Sequence, residues 1–309
     1  MHFVKTEFGV GNDAEKGDAM VLVSHASKVI VQGFTGKEAT FHAQQCIEYG
    51  TQIVGGVTPF KGGETHLGLP VFNTVKEAVA ATKAEVSLVF VPPRFVASAI
   101  AEAAEAGIKL AVIITEHTPV KDMLQAKAFA NKCGMKIIGP NCPGLVSTDG
   151  CKLGIMPNSV FARSERNVGI ISKSGTLTYE GAKQASDSGF GVSTAVGIGG
   201  DSVIGMTYEE LLPLFEADEA SEAVVMIGEI GGTLEIAACE VIKKMTKPVV
   251  AFIAGKSAPK GKRMGHAGAI IGGAQTSAEG KMAALRQAGA IVVESPSLIG
   301  EALAKALKK

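Results

Sequence analysis

Short, continuously apolar runs alternate along the chain with longer segments whose apolar positions recur at helical spacing. Apolar β-branched runs of this kind are typical of strands covered on both faces, and strands that alternate with helices predict parallel sheets with right-handed crossovers. In the first half the predicted strands are 28–32, 52–58, 86–91, 110–115 and 136–138. The predicted helices there are 37–49, 74–84 with Asn73 as cap, 95–106 and 119–133.

The same alternation restarts after Gly139–Pro157, a proline- and glycine-rich segment that predicts an irregular connection between two domains. The later predicted strands are 168–172, 192–198, 223–227, 249–254 and 291–293, and the later predicted helices are 176–188, 208–216, 234–245, 277–288 and 298–307. The predicted fold class is α/β, with two doubly wound domains over 28–139 and 140–309 and a poorly ordered tail over 1–27. Ligands of such sheets bind beyond the carboxyl ends of the strands.

Composition excludes several classes of function. The 309 residues carry no formal net charge, which argues against a nucleic-acid-binding surface, and no apolar run is long enough to span a membrane. The five cysteines form no CxxC pair and no zinc spacing, so we expect reduced thiols and no bound metal. Four acidic residues and no arginine occur in the first twenty positions, unlike a mitochondrial transit peptide. A cytoplasmic location is expected, or the mitochondrial matrix if the source is eukaryotic.

The glycine-rich segment Gly261–Gly273 contains the most distinctive histidine, His266, after the basic residues Lys262 and Arg263. Glycines let the backbone approach a bulky anion, and successive N–H groups can form an anion nest. An imidazole presented to a phosphoryl group can become a covalent carrier. The segment alone equally fits a surface loop with a solvated histidine.

Two other turns lie at the ends of predicted strands in the second half. The turn Ser172–Thr176 precedes a helix, so Ser172, Ser174 and Gly175 fit a phosphate site at a helix N-terminus, although an ordinary cap fits as well. Glu229 ends another strand and could accept a hydrogen bond from one nitrogen of His266, leaving the other nitrogen to attack. The alternative for Glu229 is an exposed loop carboxylate. We expect these strand ends to converge with the histidine loop on one pocket.

The first turn of the chain, Gly33–Glu38, joins a strand to a helix N-terminus and predicts a second phosphate site. Its GxxG spacing lacks the GxGxxG pattern, and no acidic residue ends the second strand, so an NAD-dependent dehydrogenase is disfavoured. Lys61 at that position suits an additional ribose phosphate, as in CoA or NADP. Pro92 either walls an adenine or merely ends a strand, and the turn itself can also exist without a ligand.

Several segments together resemble the α subunits of succinyl-CoA synthetases, the succinate–CoA ligases. They are GFTG at 33–36, GGVTP at 55–59, THLGLPVFNTVKEAV at 65–79, IGPNCPG at 138–144, SGTLTYE at 174–180, VGIGGD at 196–201, MIGEIGG at 226–232 and PKGKRMGHAGAII at 259–271. The resemblance implies a Rossmann-like CoA-binding domain followed by a flavodoxin-like ligase domain. It also implies a β-subunit partner of ATP-grasp fold, in a heterodimer or heterotetramer, that binds most of Mg-ATP or Mg-GTP.

By this resemblance His266 is the phosphorylated residue of a succinate-activating ligase, Glu229 is its partner, and Tyr179 lies near succinate. Ser172, Ser174 and Gly175 are then at the phosphate site. The residues that the resemblance assigns to CoA are Thr35, Gly36, Lys37, Glu38, Lys61, Val91, Pro92, Ile114, Thr115 and Glu116.

The chain departs from the family's usual residues at five places. They are Glu38-Ala39 for Gln-Gly, Phe60 for Gly, Glu116-His117-Thr118-Pro119 for EGIP, Pro157-Asn158-Ser159 for PGH, and Lys173 for Arg. Two related functions stay open: a ligase for another acid, such as malate–CoA ligase or ADP-forming acetate–CoA ligase, and a CoA-binding regulator without turnover.

Overall fold

Two seven-stranded sheets organise residues 21–259 and 261–307, which are the residues that the computed structural model describes. The strands of the first sheet are β1 (Lys28–Gln32), β2 (Gln52–Val57), β3 (Thr65–His66), β4 (Leu69–Phe72), β5 (Val86–Val89), β6 (Leu110–Ile113) and β7 (Lys136–Ile138). They lie in the order β3-β4-β2-β1-β5-β6-β7, and only the β3–β4 pair is antiparallel. Without β3 the parallel strands have the order 3-2-1-4-5-6 of a dinucleotide-binding fold.

The helices of this half are α1 (Lys37–Tyr49), α2 (Val75–Thr82), α3 (Val96–Glu105) and α4 (Val120–Lys132), with a 3₁₀ turn over Pro93–Phe95. Local chemistry explains their ends. Gly50 ends α1 with φ +115°, a conformation that glycine adopts without steric cost. Thr74 caps α2 by accepting a hydrogen bond from the N–H of Glu77, and Pro119 precedes the first turn of α4.

The second sheet comprises β8 (Gly144–Ser147), β9 (Cys151–Gly154), β10 (Asn167–Ser172), β11 (Gly191–Gly197), β12 (Ala223–Glu229), β13 (Val249–Ala254) and β14 (Ile291–Val293). Its helices are α5 (Gly175–Asp187), α6 (Tyr208–Ala217), α7 (Leu234–Ile242), α8 (Ala278–Gln287) and α9 (Ile299–Ala306), with 3₁₀ turns over Ala274–Thr276 and Pro296–Leu298. The strand order is β14-β13-β12-β10-β11-β8-β9. Its five parallel strands therefore have the flavodoxin-like order 2-1-3-4-5.

The order of strands reverses direction between β1 and β5 in the first sheet and between β10 and β12 in the second. Crevices for ligands form at these switch points, beyond the carboxyl ends of the strands. Every residue of β10, β11 and β12 is buried, which explains why most of their residues are apolar or glycine. The prediction of two doubly wound α/β units, Rossmann-like and then flavodoxin-like, is confirmed.

Four details of the sequence prediction are wrong. Residues 21–27 are not a loose tail, because Val21 and Val23 are buried in the core; residues 1–20 of the predicted tail lie outside the described residues. No strand is predicted between 58 and 86, yet the β3–β4 hairpin lies there. The expected irregular connection 139–157 contains the β8–β9 hairpin, which extends the second sheet. Asn73 does not cap α2; its Oδ1 accepts from the N–H of Gly62.

Contacts between the two sheets fix their relative position. The hydroxyl of Thr51, next to β2, donates to the carbonyl oxygen of Lys152 on β9 at 2.8 Å. The ammonium of Lys127 on α4 donates to the carbonyl oxygens of Ile204 and Gly205 at 2.8 and 2.7 Å. One apolar cluster includes residues of both sheets. Within the described residues, none of the helices has the length and apolarity needed to cross a membrane. The domain boundary at 139/140 stays a prediction.

Candidate functional site

The His266 ring lies against the end of β12, where its Nδ1 is 2.7 Å from Oε2 of Glu229. A carboxylate can only accept at this distance, so the proton is on Nδ1 and the lone pair of a neutral ring is on Nε2. The imidazole is 28% exposed, whereas Glu229 is buried. The hydrogen bond that His266 donates to Glu229 raises the pKa of His266 above its ordinary value, and burial of the ring opposes the shift. The ring thus has one nitrogen fixed and a second nitrogen available as a nucleophile.

Two glycines from other loops make room for the histidine loop. A Cβ on Gly200 would lie 2.2 Å from the imidazole of His266, so the ring packs directly on this backbone. Gly231 has φ +85°, and a Cβ there would lie 2.0 Å from the carbonyl oxygen of Gly268. Larger residues at either glycine would displace the histidine loop. These two glycines give the sequence motifs VGIGGD and GEIGG a structural reason.

A buried network of charges surrounds the backbone of Glu229. Lys281, with no exposed surface, donates to the carbonyl oxygens of Glu229 and Gly231 at 2.7 and 2.5 Å and to Oε2 of Glu235 at 2.5 Å. Oε1 of Glu235 accepts from the N–H of Glu229 at 3.2 Å. The ammonium of Lys173 lies 3.7 Å from both Glu229 Oε1 and Glu235 Oε1. Lys281 therefore holds the carbonyl oxygen of Glu229, and Glu235 holds its N–H.

Burial opposes the charged state in this network. It lowers the pKa of the Lys281 ammonium, while the adjacent Glu235 carboxylate raises it. Tyr208 packs nearby, where burial raises the pKa of its hydroxyl well above the ordinary value and the hydroxyl donates to the carbonyl oxygen of Ile227 at 2.7 Å. The sequence interpretation missed Lys281 and Glu235, because each occupies an ordinary helical position. Their one signal is a charged residue at a position that must face the core.

The turn after β10 is adjacent to the end of β12, because Ser172 pairs with Ile227 in the parallel ladder. The Ser172 hydroxyl is engaged within the turn, donating to the carbonyl oxygen of Ser174 and accepting from its N–H. Ser174 caps α5 by accepting from the N–H of Leu177 at 3.3 Å. The capping alternative is therefore present, and the first N–H groups of α5, starting at Gly175, still point along the helix axis. Tyr179 follows one turn later, half-buried and in edge contact with Phe161.

The crevice of the first sheet contains the other predicted site residues. Thr35 donates through both its N–H and its hydroxyl to Oγ1 of Thr58 at 3.3 Å, which fixes the start of α1. Gly36, Lys37, Glu38 and Lys61 are exposed around this crevice. The hydroxyl of Thr115 donates to the carbonyl oxygen of Val91 at 2.6 Å and so joins the ends of β6 and β5.

Two cavities open at this crevice and share Val91 and Pro92 as a common wall. The first, of about 430 Å³, is lined mainly by apolar groups, among them Phe60 and Phe95. The second, of about 470 Å³, includes Glu38, Ile114, Thr115 and Glu116. A further cavity of about 290 Å³ lies between the start of α4 and Ala267, beside His266. The two cavities at this crevice therefore bring together six of the residues expected to bind CoA, namely Glu38, Val91, Pro92, Ile114, Thr115 and Glu116. The other four, Thr35, Gly36, Lys37 and Lys61, line neither cavity, and Tyr179 and Ser174 lie with the second sheet.

Residues 24–117 match the family model of the CoA binding domain, and residues 171–291 match that of the CoA-ligase domain. The chain is 56% identical to a succinate–CoA ligase [ADP-forming] subunit alpha of Aquifex aeolicus, over 93% of this chain and 95% of that one. It is 50% identical to succinate–CoA ligase [ADP-forming] subunit alpha 1 of Archaeoglobus fulgidus, over 90% of this chain and 95% of that one. The chain belongs to the family of succinate–CoA ligase α subunits.

Solved structures extend the likeness of the fold. An ATP citrate lyase of Methanosaeta concilii, solved with (3S)-citryl-CoA, superposes with a TM-score of 0.84 at 25% identity over 94% of this chain. This chain spans about half of that lyase, 51% of its length. The family's fold is thus shared by an enzyme with a different named reaction, so the acid substrate must be inferred from site chemistry and close relatives rather than from fold.

Proposed function

We propose that this chain is the α subunit of a succinate–CoA ligase and that His266 carries the phosphoryl group of the reaction. The observation that supports this most strongly is the 2.7 Å contact between Nδ1 of His266 and Glu229, which leaves Nε2 free at the ligand edge of the sheet. The family membership and the named relatives support succinate as the acid.

The first step forms a phosphoramidate on the imidazole. The Nε2 lone pair attacks the terminal phosphorus of ATP or GTP, an N–P bond forms, and the P–O bond to the nucleoside diphosphate breaks. Nδ1 keeps its proton, and Glu229 stabilises the positive charge that develops on the ring. The nucleotide and its Mg²⁺ would be held by a β partner of ATP-grasp fold, because no P-loop motif occurs in the sequence.

The second and third steps transfer the phosphoryl group and then the acyl group. A carboxylate oxygen of succinate attacks the phosphorus, the N–P bond breaks, and succinyl phosphate and neutral imidazole result. The sulfur of the CoA thiolate then attacks the acyl carbon and a C–S bond forms. The bond from the acyl carbon to the phosphate oxygen breaks, which gives succinyl-CoA and inorganic phosphate. The start of α5 near Ser174 and Gly175 supplies N–H donors to the phosphoryl group, and Tyr179 borders the acid. Each step is reversible.

CoA would bind on the first sheet. Thr35–Glu38 at the start of α1 would contact its pyrophosphate, and Lys61 would pair with the phosphate on its ribose. Val91, Pro92, Ile114, Thr115 and Glu116 would border the adenine and pantetheine parts, since they line the two cavities there.

Radiolabelled ATP or GTP, supplied with the β partner and Mg²⁺, tests the carrier. The wild-type chain should acquire label that is acid-labile and base-stable, as expected of a phosphoramidate, and His266→Asn should acquire none. Binding of CoA should persist in His266→Asn, which provides the control for folding. Acid-labile label on the His266→Asn chain would contradict the assignment.

A further inference from the structure

Phe60 is the most exposed apolar side chain in the described part of the molecule, with 100% of its surface accessible. It follows Pro59 in a turn in which the N–H of Lys61 donates to the carbonyl oxygen of Thr58 at 3.2 Å. Its φ is +67°. Proline at the second position and a positive φ at the third are the pattern of a type II turn, whose third position favours glycine. The chain therefore places a large aromatic ring where the backbone disfavours one.

Hydrogen bonds on both sides hold this turn in place. The N–H of Thr58 donates to the carbonyl oxygen of Phe72 at 3.0 Å, the N–H of Gly62 donates to Oδ1 of Asn73 at 2.9 Å, and the N–H of Gly63 donates to the carbonyl oxygen of Val71 at 3.0 Å. The ring is thus presented by a fixed backbone. Because it buries no surface, it contributes nothing to the folded state that would offset its unfavourable φ.

Phe60 is among the residues that line the apolar cavity of about 430 Å³ at the switch point of the first sheet, and its fully exposed ring stands on the solvent side of that lining. Val57, Val91, Pro92 and Phe95 also line this cavity. The polar groups of the lining already have partners. Gln32 donates to the carbonyl oxygen of Ala99, and Glu102 accepts from the N–H of Val75. What remains open is an apolar slot that suits a flat ring better than a polar chain.

We propose that Phe60 stacks on the adenine ring of CoA. It would thereby act as a specificity-determining residue that favours CoA over ligands that lack the adenosine, such as 4′-phosphopantetheine. The inference rests on the proposed CoA binding and goes beyond it, because the related family commonly has glycine at this turn position. Lys61 is the next residue, so a purine over Phe60 would bring its ribose phosphate to the ammonium. Aromatic side chains stack on nucleic-acid bases through their π-faces, and such contacts account for substantial binding free energy.

Calorimetry on the full-length chain tests the role of the ring. Phe60→Gly should weaken CoA binding roughly 5- to 100-fold, the range that stacking contacts supply. Phe60→Tyr keeps an aromatic ring at this position and should bind CoA as the wild type does. Both variants should bind 4′-phosphopantetheine as the wild type does, because this fragment lacks the adenosine. A general distortion of the turn would weaken both ligands and would overturn the proposal.

The chain contains no tryptophan, so a single introduced indole reports on stacking directly. The fluorescence of Phe60→Trp should fall on addition of CoA or adenosine 3′,5′-bisphosphate. Leu214→Trp, on α6 of the second sheet and partly exposed, is the matched control and should not respond.

Equal CoA affinity in Phe60→Gly and wild type would overturn the role of Phe60 and leave CoA binding intact. A wild-type chain that binds neither CoA nor phosphopantetheine would overturn the proposed function itself. A Phe60→Trp signal that responds to the β partner and not to CoA would place the ring at a protein interface and also overturn the proposal.

Discussion

Lys281→Met tests whether the buried pair Lys281–Glu235 positions the carboxylate of Glu229, the proposed partner of His266. Methionine has about the length of the apolar part of the lysine side chain. The substitution therefore removes the ammonium and its three hydrogen bonds, to Glu229, Gly231 and Glu235, and leaves the packing of the stem. Lys281 and Glu235 have no exposed surface. Because the change leaves the Glu235 carboxylate buried with Lys173 as its one nearby cation among the described residues and the N–H of Glu229 as a hydrogen-bond donor, it should be strongly destabilising.

The magnitude follows from the cost of an unpaired buried charge. Removal of one partner of a buried ion pair lowers the free energy of unfolding by about 3–5 kcal/mol, whereas replacement of both partners with apolar residues is often neutral. The double variant Lys281→Met/Glu235→Leu should therefore recover most of the stability lost in Lys281→Met. It should not recover function, because the N–H and carbonyl oxygen of Glu229 then lose both groups that hold them.

Urea unfolding followed by circular dichroism measures the stability, and labelling of His266 by radiolabelled nucleotide with the β partner measures the function. We expect the double variant to fold with near-native stability and to label ~10²-fold slower, the scale of loss when a reacting group is misplaced by about 1 Å. Lys305→Met is the matched control, since it removes the exposed Lys305–Glu301 pair on α9 and should change neither quantity measurably. Labelling of the double variant at the wild-type rate would refute a positioning role for the pair.

Four further outcomes are expected. Because the pKa of His266 is raised, labelling of the wild-type chain should increase with pH through a midpoint above the ordinary value of about 6.5. Glu229→Gln should lower that midpoint, and in pH-controlled labelling it should also lower the rate by ~10²-fold. The same raised pKa stabilises the fold fully below pH about 6.5, and urea titrations should show this contribution disappearing as pH rises through the folded-state pKa. Ser174→Ala should slow labelling less than Glu229→Gln, because the backbone N–H groups of α5 remain. The chain without a partner should bind CoA in preference to NAD by calorimetry, yet show no turnover until the β partner is added. Preference for NAD, or full turnover by the chain without its partner, would contradict the proposal.

The sequence predicted the fold well where periodic apolar runs dominate. The strands β1, β7, β13 and β14 have the expected bounds, because each is a run of apolar residues between clear helix or turn signals. It failed for the short hairpin strands at the edges of the two sheets. The hairpin strands β3 and β9, with only two and four residues, gain their pairing from tertiary contacts that leave no periodic signal.

The site divides in the same way. The contact between His266 and Glu229 was expected, because both residues lie in glycine-rich segments at the ends of strands, where parallel sheets bring loops together. Lys281 could not be found in this way, since it is one lysine on an otherwise ordinary helix. Only the packing of α8 onto β12 shows that its ammonium is buried against the Glu229 backbone.

The charge balance of the site indicates which groups must meet a phosphoryl group on His266. Lys173 and Lys281 are already matched by the carboxylates of Glu229 and Glu235. A phosphoryl group adds close to two negative charges, so these ammonium groups cannot neutralise it without releasing a buried carboxylate, which is unfavourable. The start of α5 has backbone donors with no intrahelical acceptor and a favourable dipole, and it adjoins the end of β12. In the proposed reaction, the phosphoryl group on His266 would therefore be stabilised by this helix start and by donors of the partner, rather than by the buried lysines.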